Sequence, residues 1–433
     1  MRFARTLITL LLLNAAAGVT AQEASRPQSA EPVRLADLQA EAERKHPSIQ
    51  AAARMVDAKR ARVPQARSLP DPTLGVGWMG NITPFDVQNG DPSSYRAVTA
   101  MQELPYPGKL RLRGEVVQKE ADAEQWNVEA ARRRVRAEVA IAFYGLWATD
   151  KALTITERNK ELLEKFSRIA EEKYKVGSGV QQDVLRSHVE VTRLLQRITV
   201  LEQQRRTFEA QLNSLLLRPV SSAIGPTADV EKSLLPYTLD ELLDRAVASA
   251  PEIRQQEEMI EQSRVAINLA QREYYPDFNV AYMFQQRPAM PDMHGFTFGI
   301  KIPVFYRGKQ RKAVEEATST LAGAQQLRES IRTTLFFQVK EQFLAARASE
   351  ELLALYSKGI VPQSSLALES ALVSYQTGEL DFLSVITNFV TVLDYEIAYY
   401  QELASYQKAL ARLEETTGLE FTAPAGAGEV RKP

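Results

Sequence analysis

No cysteine occurs anywhere in the 433 residues. That absence removes disulfide scaffolding, thiolate metal sites and cysteine nucleophiles, and with them the lipid-modified cysteine that opens exported lipoproteins. Histidine is nearly absent too, with three copies in the whole chain. No phosphate-binding loop, serine elbow or His/Glu metal spacing is present. An enzyme is therefore not expected, and neither is a cofactor. Net charge is also small: it is −1 for the whole sequence and falls to −3 if Arg2 and Arg5 leave with a leader. A balance so near neutrality gives no electrostatic case for nucleic acid. Long apolar runs are missing as well. The run Leu7 to Leu13 follows Arg2 and Arg5 and precedes small residues ending Val19-Thr20-Ala21, which predicts a secretory signal peptide over 1–21, cut before Gln22. No later segment approaches the roughly 18 uncharged apolar residues of a membrane helix. Membrane residence, if any, must come from strands or surface contact.

What the chain does contain is itself, twice. Tyr174-Lys175-Val176-Gly177 and Asp183-Val184-Leu185 recur 201 positions later as Tyr375-Gln376-Thr377-Gly378 and Ser384-Val385-Ile386. Pro105 and Gly108-Lys109 recur as Pro303 and Gly308-Lys309, and Arg67 to Pro70 before Asp71 recurs as Arg272 to Pro276 before Asp277. A unit this long is not a short solenoid repeat; it predicts one fold built from two similar halves. The expected organisation is a first repeat over 22–217, a linker over 218–237, a second repeat over 238–418 and a disordered tail over 419–433.

Most of each half reads as helix. Lys109 to Val176 has no proline and only Gly114 and Gly145, a run that would extend about 100 Å as a helix. Gln181 to Leu217 returns with two seven-residue rows, Val184, Val191, Ile198, Leu212 and Leu194, Leu201, Phe208, Leu215, which is a coiled-coil seam. The second half offers Lys309 to Thr377, kinked near Gly359 and Pro362, then Asp381 to Thr417 ended by Gly418. Shorter helices over Leu35 to Arg67 and Thr238 to Arg272 open the halves. Each long helix is expected beside two shorter ones stacked end to end.

Between the short and long helices the period changes to two. Leu74, Val76 and Trp78 alternate with Thr73, Gly75 and Gly77; Phe278, Val280, Tyr282 and Phe284 alternate with Asn279, Ala281 and Gln285. Tyr95 to Leu104 and Phe296 to Ile302 return, across the polar loops Thr83 to Ser93 and Arg287 to Met293. Strands of about 9–11 residues with aromatics on the apolar face suit a tilted membrane strand. The pattern predicts two short hairpin sheets per chain. An open sheet in lipid would leave edge groups unpaired at several kcal/mol each, so several copies must share a barrel. Closure alone leaves two, three or four copies open.

These residues resemble the TolC family of outer-membrane channels, in the branch serving heavy-metal and multidrug efflux pumps (CusC-like and CzcC-like proteins). The likeness spans Leu35 to Gly418 and rests on Tyr174-x-x-Gly177-x5-Asp183-Val184-Leu185, its repeat Tyr375-x-x-Gly378 with Phe382-Leu383-x-Val385, and the Pro-x-x-Gly-Lys and Pro-x4-Gly-Lys turns. The resemblance implies an α+β membrane protein: a homotrimer whose four strands per chain form a twelve-stranded barrel in outer-membrane lipid, above an α-helical periplasmic tunnel. It also implies a periplasmic adaptor (membrane fusion protein) and an inner-membrane RND-type pump as partners, with passive conduction of heavy-metal ions or small toxic organics. Two alternatives stay open: a periplasmic coiled-coil adaptor or tether, and the outer-membrane duct of a type I protein secretion system.

The resemblance places adaptor contacts at the hairpin tips, Val176, Gly177 and Ser178 in the first half and Thr377, Gly378 and Glu379 in the second. Plain helix capping by the two glycines is compatible with such contact. Family members often close the tunnel with carboxylates six and nine positions after the second tip glycine. Here those positions are Ser384 and Thr387, so Asp183 and Asp381 become the acidic gate candidates, either as a repelling cluster or as helix caps. Met290, Met293 and His294, near Met283, have the soft donors that suit Cu(I), although gap-filling by methionine is the favoured reading and no metal site is expected. His46 and His188 read as structural. The basic runs Lys109, Arg111, Arg113 and Arg307, Lys309, Arg311, Lys312 predict either lipid head-group contact or salt bridges to Glu115 and Glu315.

Overall fold

The computed structural model describes residues 32–80, 83 and 86–421. The expected signal peptide over 1–21 lies outside these residues, as do 422–433 of the expected tail. In chain order the elements are α1 Leu35–Lys45, α2 Pro47–Arg67, β1 Thr73–Met79, β2 Tyr95–Leu104, α3 Lys109–Lys175 and α4 Gln181–Leu215. The second half repeats them as α5 Leu239–Ser249, α6 Pro251–Arg272, β3 Asp277–Gln286, β4 Met293–Lys301, α7 Gln310–Leu355, α8 Val361–Thr377 and α9 Phe382–Thr417.

The short opening helix of each half is two helices, not one. His46 and Ala250 both sit at φ −62° with ψ near 125°, because the ring of the following Pro47 or Pro251 excludes the helical ψ from its predecessor. Each proline then starts a new helix, where its missing N–H costs nothing. The chain between Leu355 and Val361 also differs in kind from a simple kink. Residues Tyr356–Ile360 form one π-helical turn ahead of Pro362, so the extra residue absorbs the hydrogen bond that proline cannot donate.

The 67-residue α3 is the spine. It packs against α2 and α4 of its own half and α6 and α9 of the other, while α7 lies against α5, α6 and α9. Small residues allow the close approach: a Cβ on Gly145 of α3 would lie 2.4 Å from the Phe208 ring of α4. The middle of the bundle buries Ala140, Phe143, Leu146 and Trp147 against Leu212, Leu242, Ile253, Val339 and Leu410. A second apolar cluster toward the hairpin tips joins Leu163, Leu194 and Leu201 to Phe382, Phe389 and Leu393. The rows read as a coiled-coil seam are thus buried or half-buried. Arg205, which interrupts one row, is satisfied by Asp150, Glu209 and the Ile224 carbonyl.

Two further expectations change. Residues 419–421 are not a loose tail: Phe421 is buried, its ring meets Tyr237, and its N–H donates to Glu414 at 2.6 Å. The four strands form one antiparallel sheet in the order β1-β2-β3-β4 rather than two separate hairpins. β2 of the first half pairs β3 of the second along nine residues, from Arg96↔Gln286 to Leu104↔Phe278. Pairing the halves removes two exposed edges at once. β1 has seven residues, shorter than a full membrane strand.

Candidate functional site: a two-faced sheet and paired hairpin tips

The register sorts the sheet into two faces, because successive strand residues point to opposite sides. One face carries Leu74, Val76, Trp78, Val98, Val280, Tyr282, Phe296, Phe298 and Ile300. The other carries Gly75, Gly77, Thr99, Asn279, Gly295, Thr297 and Gly299. The apolar face is open rather than packed: Leu74 is 78% exposed and Phe296 80%. Soluble proteins seldom expose a continuous apolar patch of this kind, whereas apolar-out, small-and-polar-in alternation is the signature of a membrane barrel wall. Aromatic residues run along the apolar face, with Trp78 near the strand loops and Tyr282 opposite Phe296 near mid-strand. Tyr106, Tyr275 and Tyr306 stand where the sheet meets the helices, as at membrane interfaces. Among the described residues, no helix is long and apolar enough to cross a membrane.

A buried charge anchors the sheet to the bundle. Lys109, the first residue of α3, is 1% exposed, and its ammonium donates to Asp277 at 2.8 Å and to the Tyr275 carbonyl at 2.9 Å, with Glu273 at 3.0 Å. Asp277 also accepts the Tyr106 N–H at 2.8 Å, so β3, the β2–α3 turn and α3 converge on one carboxylate. Four of the other six basic residues in the two runs form salt bridges, whereas Arg307 donates to the Tyr306 hydroxyl and Lys309 has no ion pair among the described residues. Arg111 pairs with Glu115, Arg113 with Glu273, and Arg311 and Lys312 with Glu315.

At the far end of the bundle the two tips are copies in detail. Gly177 has φ +75° and Gly378 φ +82°, the left-handed conformation that closes a helix. Ser178 N–H donates to the Lys173 carbonyl and Glu379 N–H to the Ser374 carbonyl, both at 2.9 Å. A Cβ at either glycine would meet nothing within 4 Å, so each tip is open. Val176 beside the first glycine is exposed, and Thr377 and Glu379 flank the second. Lys173 ties the tips together, donating to the Tyr375 carbonyl at 2.9 Å with its ammonium 4.0 Å from the Tyr375 ring centroid.

The acidic candidates separate into two roles. Asp381 caps α9: its carboxylate accepts the Ser384 N–H at 3.1 Å, and the contacts with Ser384 hold it below the ordinary aspartate range. Asp183 caps nothing. It lies half-buried in the first turn of α4, and burial, then the charge of Asp381, pushes its carboxyl up against the opposing pull of Lys173. The two carboxylates therefore repel across the halves of a single chain. Ser384 serves the cap, and Thr387 donates to the Leu383 carbonyl of its own helix; neither supplies a negative charge.

Met293 and His294 are successive residues of β4, so the pleat sends them to opposite faces, while Met290 lies in the preceding turn. His294 bonds Tyr282 through Nδ1 at 2.7 Å. The pleat therefore separates Met293 from His294. Among the described residues no group of histidine and carboxylates could hold a metal ion. His46 caps α2 through Ser48 N–H, and His188 contacts Glu171, both structural placements.

Residues 38–216 and 242–419 match the family described as outer membrane efflux protein. The chain belongs to that family. This efflux protein is similar to the pyoverdine export outer membrane protein OpmQ of Pseudomonas putida, with 22% identity over 73% of the chain and 67% of the relative. It is also similar to the cobalt-zinc-cadmium resistance protein CzcC of Cupriavidus metallidurans, with 20% identity over 86% of each. Its fold matches the crystal structure of CusC, with a TM-score of 0.75 at 16% identity, covering 88% of this chain and 91% of that one. The protein is an efflux channel of the Gram-negative outer membrane that extends into the periplasm. The family and fold are those of channels rather than enzymes.

Sequence reasoning missed Lys109 and Lys173 of this efflux protein as organising residues. A signal existed for the first: the duplication repeats an aspartate ahead of each first strand (Asp71, Asp277) and a lysine after each second strand (Lys109, Lys309). No comparable signal marks Lys173, whose repeat position is Ser374.

Proposed function

We propose that three copies of this chain join their sheets into a twelve-stranded barrel. The helices continue beneath it as a periplasmic tunnel, through which substrate delivered by an inner-membrane pump leaves the cell. The observation that carries this is the two-faced sheet, with its exposed apolar side and its two unpaired edge strands, β1 and β4; each backbone group left unsatisfied along those edges would cost several kcal/mol in lipid. Twelve strands suffice for a lumen. The small residues Gly75, Gly77, Gly295 and Gly299 keep that lumen wide.

Conduction is passive in this reading, and the pump supplies the energy. The open tips around Gly177 and Gly378 are the docking surface for the helical hairpins of a periplasmic adaptor, with Val176, Ser178, Thr377 and Glu379 as contacts. The cargo is heavy-metal ions or small toxic organics, a range supported by relatives whose names specify cobalt-zinc-cadmium resistance and pyoverdine export. Growth of a deletion strain on a panel of metals and organic toxicants tests this. Complementation by the wild-type gene should restore resistance to at least one class, and unaltered tolerance of every compound would contradict the efflux assignment for those cargoes.

A further inference from the structure

The duplication extends to backbone register, and that fixes a seam the single chain leaves open. Pro70 and Asp71, just before β1, recur 206 positions on as Pro276 and Asp277, and Pro105, just after β2, recurs 198 positions on as Pro303; these shifts carry Thr73 onto Asn279 and Met101 onto Gly299. Under these two shifts all seven residue pairs of the β1–β2 hairpin, from Thr73↔Met101 to Met79↔Tyr95, land on pairs of the β3–β4 hairpin, from Asn279↔Gly299 to Gln285↔Met293. The two hairpins are therefore one object placed twice. They are joined inside the chain by the β2–β3 pairing, in which Ala100 faces Tyr282 and Thr99 faces Met283.

We propose that β4 of one copy pairs with β1 of the next in the register that the β2–β3 junction dictates, with Phe298 facing Val76 and Thr297 facing Gly77. This rests on the several-copy barrel proposed above and adds its joint. The same two shifts that superpose the hairpins carry Ala100↔Tyr282 onto Phe298↔Val76 and Thr99↔Met283 onto Thr297↔Gly77. An independent check comes from the side chains. In this register Phe298 and Val76 share the exposed apolar face, and Thr297 and Gly77 share the other. A slip of one residue would put every apolar side chain of β4 beside the polar face of β1. The edge has room for its neighbour, since a Cβ on Gly75 or Gly77 would touch nothing within 4 Å.

The junction charges recur as well, with two extra residues after the second strand: Asp71 lies 206 positions before Asp277, and Lys309 lies 200 after Lys109, two beyond the strand shift. Lys109 is buried against Asp277 within the chain, and its repeat Lys309 and the repeat aspartate Asp71 are both exposed, with no ion-pair partner for either among the described residues. Each therefore presents the half of a salt bridge that the adjoining copy completes.

The cysteine-free sequence makes the test clean. Directly opposite residues in an antiparallel pair place Cβ atoms about 4.5–5.5 Å apart, whereas partners displaced by two lie about 7–8 Å apart, beyond disulfide reach. Successive opposite pairs alternate between wide and close spacing, so two matched doubles are made, Gly77→Cys/Thr297→Cys and Val76→Cys/Phe298→Cys, along with the displaced double Gly75→Cys/Thr297→Cys. Outer-membrane fractions are oxidised and run without reductant, and the reduced forms are checked for membrane insertion and for size in detergent. At least one matched double should give covalently linked trimers, while the displaced double stays at the single-cysteine level. Stronger cross-linking by the displaced double overturns the register. Absence of linkage in both matched doubles, in protein that still runs as a trimer, overturns the seam and leaves the trimer intact. A protein that is monomeric in detergent overturns the trimer and the seam together. Lys309→Glu should also lower the temperature at which the trimer dissociates, and adding Asp71→Lys should restore it; no rescue would contradict the paired charges.

Discussion

Replacing Lys109 by methionine tests how the sheet is held to the bundle. Methionine keeps the stem volume of the 1%-exposed lysine and removes only the ammonium. Asp277 would lose a 2.8 Å partner, Glu273 a 3.0 Å partner and the Tyr275 carbonyl its 2.9 Å donor. Asp277 keeps the Tyr106 N–H and Glu273 keeps Arg113, so neither carboxylate is wholly abandoned. Removing one partner of a buried pair typically costs about 3–5 kcal/mol, and the residual bonds put this case near the lower end. Arg111→Ala, three positions from Gly108, is the internal control: its pair with Glu115 is exposed, so the loss should stay within about 1 kcal/mol. Thermal and urea unfolding of the detergent-solubilised protein would measure both. Asp277→Asn in the Lys109→Met background should recover part of the loss by removing the unpaired charge. If Lys109→Met proves no more destabilising than Arg111→Ala, the buried lysine is not the anchor described here.

Three other expectations concern the tips and the spine. Gly177→Val and Gly378→Val force a β-branched residue to φ +75° and +82°, a local strain of about 1–2 kcal/mol each; efflux should fall while outer-membrane insertion persists, and unchanged resistance would count against the tips as docking points. Because Asp183 has a raised pKa in the fold, its contribution favours the folded state at low pH and is lost as pH rises through the raised value. Asp183→Asn should therefore raise the melting temperature at pH 7, with the gain shrinking as pH falls toward the ordinary 3.8; a pH-independent difference would refute a carboxyl raised by burial and by the charge of Asp381. Gly145→Ala places a methyl 2.4 Å from Phe208, an overpacking that should cost about 1–3 kcal/mol, relieved by adding Phe208→Leu; an additive double variant would show that the two do not meet.

Long local patterns were legible in the sequence. α3 and α4 follow the proline-free runs and their seven-residue rows, and the tip glycines close their helices as the repeated Tyr-x-x-Gly suggests. Proline was the local feature misjudged: Pro47 and Pro251 each start a helix, so periodicity runs straight through the break that the preceding residue makes. Pairing between distant segments was less visible. Nothing in β2 or β3 alone says that Ala100 will face Tyr282 rather than leave each hairpin separate, because the joint depends on how two halves stack. The same limit hid Lys109, whose burial is decided by Asp277 at 168 positions' distance. Asp183 and Asp381 were equivalent as acidic residues beside a helix start. Only their surroundings divide them, one occupied as a cap and the other pressed between burial and a like charge.

The central claim is that one side of the β1–β4 sheet meets lipid and the other lines water. A nitroxide scan along β4, from Met293 to Lys301, in protein reconstituted into bilayers reads this directly. Residues Phe296, Phe298 and Ile300 should be accessible to oxygen and shielded from a water-soluble nickel reagent, with Thr297 and Gly299 showing the reverse. Water-exposed labels at Phe298, or accessibility without a two-residue period, would contradict it.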